Sequence, residues 1–478
     1  MTDKSITYHE IDFLLPAQKF SIQFSYISQR GLPFIREYVL RLVHVAPMSK
    51  QQIAQFFGLS KREADEAISD LVDRSEMTLA IDGRLTLTEK SKSYFPGMGQ
   101  APLLSITKES SANLWFDLAT YCCFSNQNFS DKWRAGISLK VDDSKAANSE
   151  KLAEKNFQLQ FNQILDRNYL SLINDNTATE SPSVYTVKTV KKLRSSLLRL
   201  KTSFQMDIDG NPLERNDFSE LIDSQSVHEL ITTELHKAAS SSNLFSLLKA
   251  MNVIGDTETL KLFDSQSNAF NPNYISDLRA LEEHSNSGRH TFLGPIYSSE
   301  NWITLQKFLA PIIKKRRDSK EDSGYKPFLW LAPSDKFWGK SERLVSSLSD
   351  VVSNATTKTK TLYKPNIYLP INGADDIRTC REWEREFPEY KDYLKGIKEG
   401  FLDGNVEILY LEDELAVVVY HFSQPELLPV TLPVGFVSTD SNFIANLGRL
   451  LKEYLTGFSS FDKPNDCGFI TSLMKKRL

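Results

Sequence analysis

The sequence predicts a multidomain protein of mixed α/β class. It divides into an N-terminal helical module ending in a hairpin, a mainly helical middle region and a C-terminal α/β sandwich. Three observations lead there. Between residues 33 and 95, three segments carry apolar residues at helical spacing and a short alternating stretch follows. From about His284 onward, continuous apolar runs alternate with amphipathic ones, the pattern of helices laid on a sheet. A chain of 478 residues also exceeds what one hydrophobic core usually serves. The expected divisions are 1–97, 98–283 and 284–478.

Composition narrows the classes of function. Hydrophobic residues make up 41% and charged residues 25%, ordinary values for a globular chain. A formal net charge of -4 argues against a protein that coats nucleic acid or membrane, so any contact with a polyanion must be local. The opening stretch MTDKSITYHEIDFLLPAQKF lacks the basic start and unbroken apolar run of a secretion signal. No segment approaches the ~18 apolar residues of a membrane span. The expectation is a cytoplasmic protein without membrane association. Cys122, Cys123, Cys380 and Cys467 form no CxxC pair and read as free thiols.

The helical module is justified element by element. In LPFIREYVLRLVHV, Phe34, Ile35, Tyr38, Val39, Leu42 and Val43 fall on one helical stripe. Ser49 with Gln52 forms a capping-box pattern that opens a second helix, and Gly58 is a natural stop. Ser60 with Glu63 repeats the device at SKREADEAISDLV, where Ala64, Ala67, Ile68, Leu71 and Val72 share a face. In MTLAIDGRLTLT, Asp82-Gly83 sits between two alternating runs and predicts a hairpin with a two-residue type I′ turn.

Three helices followed by a hairpin resemble the winged helix-turn-helix fold over roughly residues 32–95. The resemblance implies that the third helix would enter a DNA major groove and that the hairpin would touch the backbone. Lys61 and Arg62 occupy the first turn of that helix, and Arg84, Lys90 and Lys92 lie at or after the hairpin, so these five form a candidate DNA-contacting strip. Against it stand the outward-facing acids Glu63, Asp65, Glu66, Asp70 and Asp73. A module without excess positive charge gains little from phosphate neutralisation. Protein docking therefore stays open beside DNA contact.

After a linker FPGMGQAP, the segments NLWFDLATYCCF and WRAGISLKV read as apolar helix or strand, and NDNTATESPS as a loop. VYTVKTVKKLRSSLLRLKTSF carries Lys188, Lys191, Lys192, Arg194, Arg199 and Lys201 with no acid between Val184 and Met206. Its apolar residues Val187, Val190, Leu193, Leu197 and Phe204 suggest a basic amphipathic helix. That is a candidate phosphate-contacting surface, with a membrane surface or a solvated structural face as alternatives. His228 and His236 share a helical face but lack further ligands at metal spacing, so no metal site and no cofactor are expected.

In the last division, KPFLWLAP, PNIYLPI and LPVGFVSTD read as strands. NVEILYLEDELAVVVYHF reads as two strands about Glu412-Asp413. SSENWITLQKFLAPIIKKRR, with Pro311 kinking or ending a turn, reads as a helix. GKSERLVSSLSDVVSNA and NFIANLGRLLKEYLTGF read as helices too, as do ADDIRTCREWEREF through LKGIKEGF, interrupted at Pro388. The strands followed by VGFVSTDSNF and a helix are similar to the end of a phospholipase D-like domain. Active members of that family carry His-x-Lys, and none of His9, His44, His228, His236, His284, His290 and His421 has Lys two positions on. The resemblance therefore implies a degenerate domain; Ser438 and Asn442 match the family's terminal turn only loosely. P-loop, GxGxxG, HExxH and GxSxG motifs are absent.

The leading expectation is a non-enzymatic DNA-binding or adaptor subunit. Winged-helix modules joined to degenerate phospholipase D-like domains resemble subunits of multi-protein bacterial anti-phage systems, which implies protein partners and nonspecific DNA contact. One alternative is a phospholipase D-like or metal-dependent nuclease, with His421 and nearby Asp403, Glu407 and Glu412 as its residues. Another is a ligand-sensing transcription regulator.

Overall fold

The computed structural model describes residues 5–31, 34–97, 101–129, 134–170, 182–215, 218, 221, 224–263, 270–285, 288–319, 326–358, 360–456 and 465–475. Most of the expected loop at 174–183 and the centre of the linker at 95–102 lie outside these residues. The chain is a mixed α/β protein in two compact units, one of Ala17–Phe129 and Asp142–Ser196, the other of Met1–Pro16, Ser130–Val141 and Leu197–Leu478. Neither unit is one consecutive stretch, so the expected divisions 1–97, 98–283 and 284–478 do not coincide with them.

Long antiparallel pairing frames the first unit. The strand Ile6–Gly31 pairs with Leu103–Asp117 from Ala17↔Asp117 to Gly31↔Leu103, and Cys123–Phe124 adds to the far edge. At the turn after Leu103–Asp117, the buried Asp117 carboxylate accepts hydrogen bonds from the backbone N–H groups of Ala119, Thr120 and Cys122. The helix Ser149–Asp166 lays Phe157 and Phe161 against Phe24, with ring centroids 4.9 and 5.8 Å away.

The strand Ser183–Met206 pairs with Ile6–Gly31. This overturns the expected basic helix. Val184, Thr186, Val187, Thr189 and Val190 are β-branched, and such side chains lose rotamer freedom in a helix but fit a pleated surface. The unsatisfied edge of Ile6–Gly31 supplies the partner that the local spacing could not reveal.

Between Gly31 and Leu103 lies the helical module. Helices Phe34–Val45, Lys50–Phe57 and Lys61–Asp73 are followed by strands Met77–Leu79 and Leu85–Leu87. Both capping boxes form, and Gly58 takes the left-handed conformation at φ 67°. The core gathers Val39, Leu40, Val43, Ile53, Ile68, Leu71, Met77, Leu85, Leu87 and Tyr94. The expected stripe on the first helix is corrected: Phe34, Ile35 and Tyr38 are exposed, and Phe34 packs on Tyr38 at 4.6 Å. The hairpin also differs. Gly83 has φ 77° while Asp82 keeps a negative φ, and the Gly83 N–H donates to the Ala80 carbonyl. That is a three-residue loop with glycine in the left-handed position, not a two-residue type I′ turn, which needs two positive φ angles.

An eight-stranded sheet organises the second unit. Its order is Asp466–Phe469, Leu394–Lys398, Lys364–Ile371, Pro327–Leu331, Val406–Leu411, Leu415–Phe422, Leu432–Ser438 and Arg289–Leu293. Leu394–Lys398, Lys364–Ile371 and Pro327–Leu331 run parallel, and the other neighbours run antiparallel. The expected helix through LKGIKEGF is therefore a strand after Pro388. At Gly396 a Cβ would stand 2.3 Å from Ile371 Cδ1, so this strand's close packing uses the missing side chain. Pro311 lies inside the helix Ser299–Asp318, which continues past it.

Leu415–Phe422 is buried at every residue, as its unbroken apolar run predicts for a strand covered on both faces. Val417 and Val419 join the core formed with Trp302, Leu305 and Leu348. On the neighbouring Leu432–Ser438 strand, the Phe436 ring meets Phe443 of the helix Ser441–Thr456. Among the described residues, no helix is long and apolar enough to cross a membrane.

Gly435 is crowded by both a neighbouring strand and a ring: a Cβ there would lie 2.6 Å from the Val418 carbonyl oxygen and 2.8 Å from Phe292 Cζ. Backbone cannot yield as a flexible side chain can. Gly435→Ala should lower stability by roughly 1–3 kcal/mol. Urea unfolding should show a reduced midpoint at unchanged slope, and an unchanged midpoint would contradict the crowding.

Candidate functional site

Lys61 and Arg62 open the third helix directly after the Ser60 cap, and both are exposed. Neither has a hydrogen-bond or ion-pair partner among the described residues. The acids of the same helix are partly engaged. Glu63 folds back on Ser60, whose hydroxyl and N–H hold its carboxyl below the ordinary range. Asp65 meets Lys50 at 3.3 Å and Asp70 meets Arg74 at 2.8 Å. Glu66 and Asp73 remain exposed. Positive charge is thus least neutralised at the helix start.

The other bases near the hairpin are less free. Arg84 stands 3.8 Å from Asp82, Lys90 donates to the Arg74 carbonyl at 2.8 Å, and Lys92 pairs with Glu89 at 2.7 Å. All three sit on solvent-facing surface, where such pairs are weak and exchange readily with other anions.

On the strand Ser183–Met206 the basic run is dispersed. Successive side chains leave a strand on opposite sides, so Lys188, Lys192 and Arg194 point one way and Lys191 the other. Lys188 pairs with Glu109, and the Arg194 guanidinium stacks over Trp115 at 5.1 Å. Lys191 and Lys192 present exposed side chains, while the Lys192 backbone N–H donates to Glu150. Arg199 must be withdrawn as a candidate contact. Its side chain is only 7% exposed in the second unit, where it pairs with Asp12 at 2.8 Å and donates to the Ala135 carbonyl at 2.7 Å. Lys201, also in the second unit, pairs with Glu342. The single basic face expected over 188–201 does not exist.

His421 ends the buried strand Leu415–Phe422. Its Nδ1 lies 2.9 Å from Asp335 and its Nε2 3.2 Å from Glu407. Glu407 also accepts from the indole N–H groups of Trp330 and Trp338, at 2.7 and 2.8 Å. Asp335 further accepts from the Thr431 hydroxyl and the Phe337 N–H. Burial alone would lower the pKa of His421, but the hydrogen bonds and charges of the two carboxylates outweigh it and raise the value to about 9. For Asp335, burial pushes upward and is outweighed by His421, Phe337 and Thr431, so its carboxyl stays below the ordinary range.

Both ring nitrogens of His421 are thus occupied and the side chain is 1% exposed. A nucleophilic histidine needs a free nitrogen facing substrate; this one is a buried cation held between two anions. Of the acids considered with it, only Glu407 reaches the ring. Glu412 pairs with Lys452 at 3.0 Å. His9 and Asp335 were not singled out from the sequence, although Glu407, a lone charge inside an apolar strand, signalled a buried partner. Among the described residues no group of acids, histidines and cysteines could hold a metal ion. The second unit also bears a cleft of about 760 Å³ lined by Tyr8, Glu10, Arg279, Ser298 and Glu300 among others.

The bridge sets a pH dependence. His421 has a raised pKa in the folded chain, so its contribution is complete below its ordinary value of 6.5 and is lost as pH rises through about 9. Asp335 has a depressed pKa, so its contribution is present above the ordinary carboxylate value and is lost as pH falls. His421→Gln should destabilise the chain by about 3–5 kcal/mol, because buried carboxylates lose their cation. It should also flatten the alkaline limb of a stability-versus-pH curve between pH 7 and 9.5, measured by urea unfolding. An alkaline limb of undiminished slope in the variant would refute the assignment. No protein-family model and no curated protein sequence matches this chain.

Proposed function

We propose that this protein is a non-enzymatic DNA-binding or adaptor subunit of a multi-protein bacterial assembly, of the anti-phage kind. The module at 34–95 acts as a winged helix whose third helix meets DNA at its first turn. One observation carries the reading: Lys61 and Arg62 stand exposed on a capped helix start, without partners among the described residues, while Asp65 and Asp70 of the same helix are paired within the module. A helix start that offers two free cations fits phosphate and base-edge contact at the positions where such helices meet DNA. Arg84 at the hairpin extends the contact to the adjacent backbone, with Lys90 and Lys92 beside it. Few cations are committed, so binding is weak and nonspecific, and the remaining surface serves protein partners.

The C-terminal α/β unit fits a degenerate phospholipase D-like domain with a structural role. His421 supports this, since its nitrogens are spent on Asp335 and Glu407. A nuclease using this histidine would have to dismantle the bridge first. A ligand-sensing regulator is the second reading, favoured by the cleft of about 760 Å³, a size suited to a small molecule. It requires a dimer, and a monomer by analytical ultracentrifugation would remove it.

The DNA reading is tested by a salt series of duplex binding. Exchanging both first-turn cations, Lys61→Glu with Arg62→Glu, should weaken binding at least 10-fold and reduce the log K against log salt slope by about 2, roughly one per lost phosphate contact. Equal affinity in variant and wild type would point to protein docking instead. Lys191→Glu with Lys192→Glu should have a smaller effect, since these side chains leave opposite sides of the strand. A loss as large as that at the helix start would move the interface to Ser183–Met206.

A further inference from the structure

The first residues of the strand Ile6–Gly31 enter the second unit as a buried edge. Tyr8, His9 and Asp12 are each at most 3% exposed. The Asp12 N–H donates to the Lys340 carbonyl at 2.7 Å, and the Asp12 carboxylate accepts from Arg199 and from the Glu342 N–H. Phe13 and Leu14 pair with Ile137 and Ser138. Two side chains in this tied segment, Tyr8 and His9, each bury a polar atom without a hydrogen-bond partner among the described residues. The His9 Nδ1 lies 3.3 Å from the Glu10 carbonyl, and its Nε2 is buried with no hydrogen-bond partner among the described residues.

We propose that His9 is an acid-sensitive latch: neutral, it packs with residues 6–16 against the α/β unit, and protonated, it releases that segment. The geometry explains why. Asp335 and the His421 cation face His9, and Asp335 already serves His421, Thr431 and Phe337. Glu407 and Tyr297 complete the buried group, but Glu407 is occupied by His421 and two indoles, and the Tyr297 oxygen accepts from the Gly339 N–H. A proton on Nε2 would meet no acceptor, and the new imidazolium would lie near an existing one.

Burial is the main cause that lowers the His9 pKa to about 4, with the His421 cation adding and Asp335 opposing. The released segment binds its proton near the ordinary value of 6.5. Between these values release takes up a proton, so acidification shifts the equilibrium towards release by up to about two orders of magnitude. Glu10, at the next position, works against this. Burial raises its carboxyl, opposed by Arg343 and aided by Asp12 and Glu300, so it favours the docked segment in acid. Asp12 is also raised, first by burial, and acts in the same direction as Glu10. Only His9 couples acid to release.

The test is hydrogen–deuterium exchange with mass spectrometry on the full chain between pH 7.5 and 4.5, corrected for intrinsic exchange. In the wild type, protection of residues 6–16 should fall at least 10-fold below pH 6 while residues 415–422 stay protected. His9→Gln should show no such fall. The same acid loss in His9→Gln, or none in the wild type, would overturn the latch. Should His9→Gln fail to fold, wild-type chain labelled with carbon-13 histidine gives the second readout. A histidine titrating at the midpoint of segment release supports the latch, and release without a coincident histidine titration refutes it.

Discussion

A strand as long as Ile6–Gly31 carries a donor and an acceptor at nearly every residue, and each buried group must find a partner. The five-stranded sheet answers that demand. Leu103–Asp117 takes one edge from Ala17 to Gly31, while Ile137–Ser138 and Ser183–Met206 also pair with the strand. Because Gly31 and Leu103 are directly paired, the helical module leaves and re-enters the sheet at one point. It can therefore keep its own core without disturbing the strands.

The same demand decides what the basic segment becomes. Its apolar spacing suits a helix, yet a helix would leave an edge of the long strand unpaired. Pairing wins because unsatisfied backbone groups carry a penalty at every residue, whereas the preference between helix and strand is a fraction of a kcal/mol per residue. Once extended, the segment distributes its cations over two sides and two units, and Arg199 goes into the interior with Asp12. A charge cluster in the sequence need not be one in space.

Electrostatics in both units follows one rule, that buried carboxylates are met by cations or by fixed N–H groups. Glu76 is held by Arg36 and Tyr94, Glu282 by Arg289, Asp117 by backbone donors, and Asp335 with Glu407 by His421. Such pairs are costly to break and do little to raise stability above an apolar alternative. Their effect is to take those carboxylates out of use, whereas Lys61 and Arg62 stay exposed and without a partner among the described residues.

Features closed by contacts within three or four residues were legible in the sequence. The capping boxes at Ser49 and Ser60, the stop at Gly58 and the hairpin about Gly83 depend on neighbours a turn away, and the strand Leu415–Phe422 announced its two-sided burial by an unbroken apolar run. Tertiary structure alone decided that residues 183–206 are extended, that Phe34, Ile35 and Tyr38 stay exposed, and that both ring nitrogens of His421 are engaged by buried carboxylates. The partners that decide His421 lie 86 and 14 residues away, and Arg199 finds Asp12 across 187. Local spacing carries no information at those separations, because only the folded sheet brings such groups within hydrogen-bonding range.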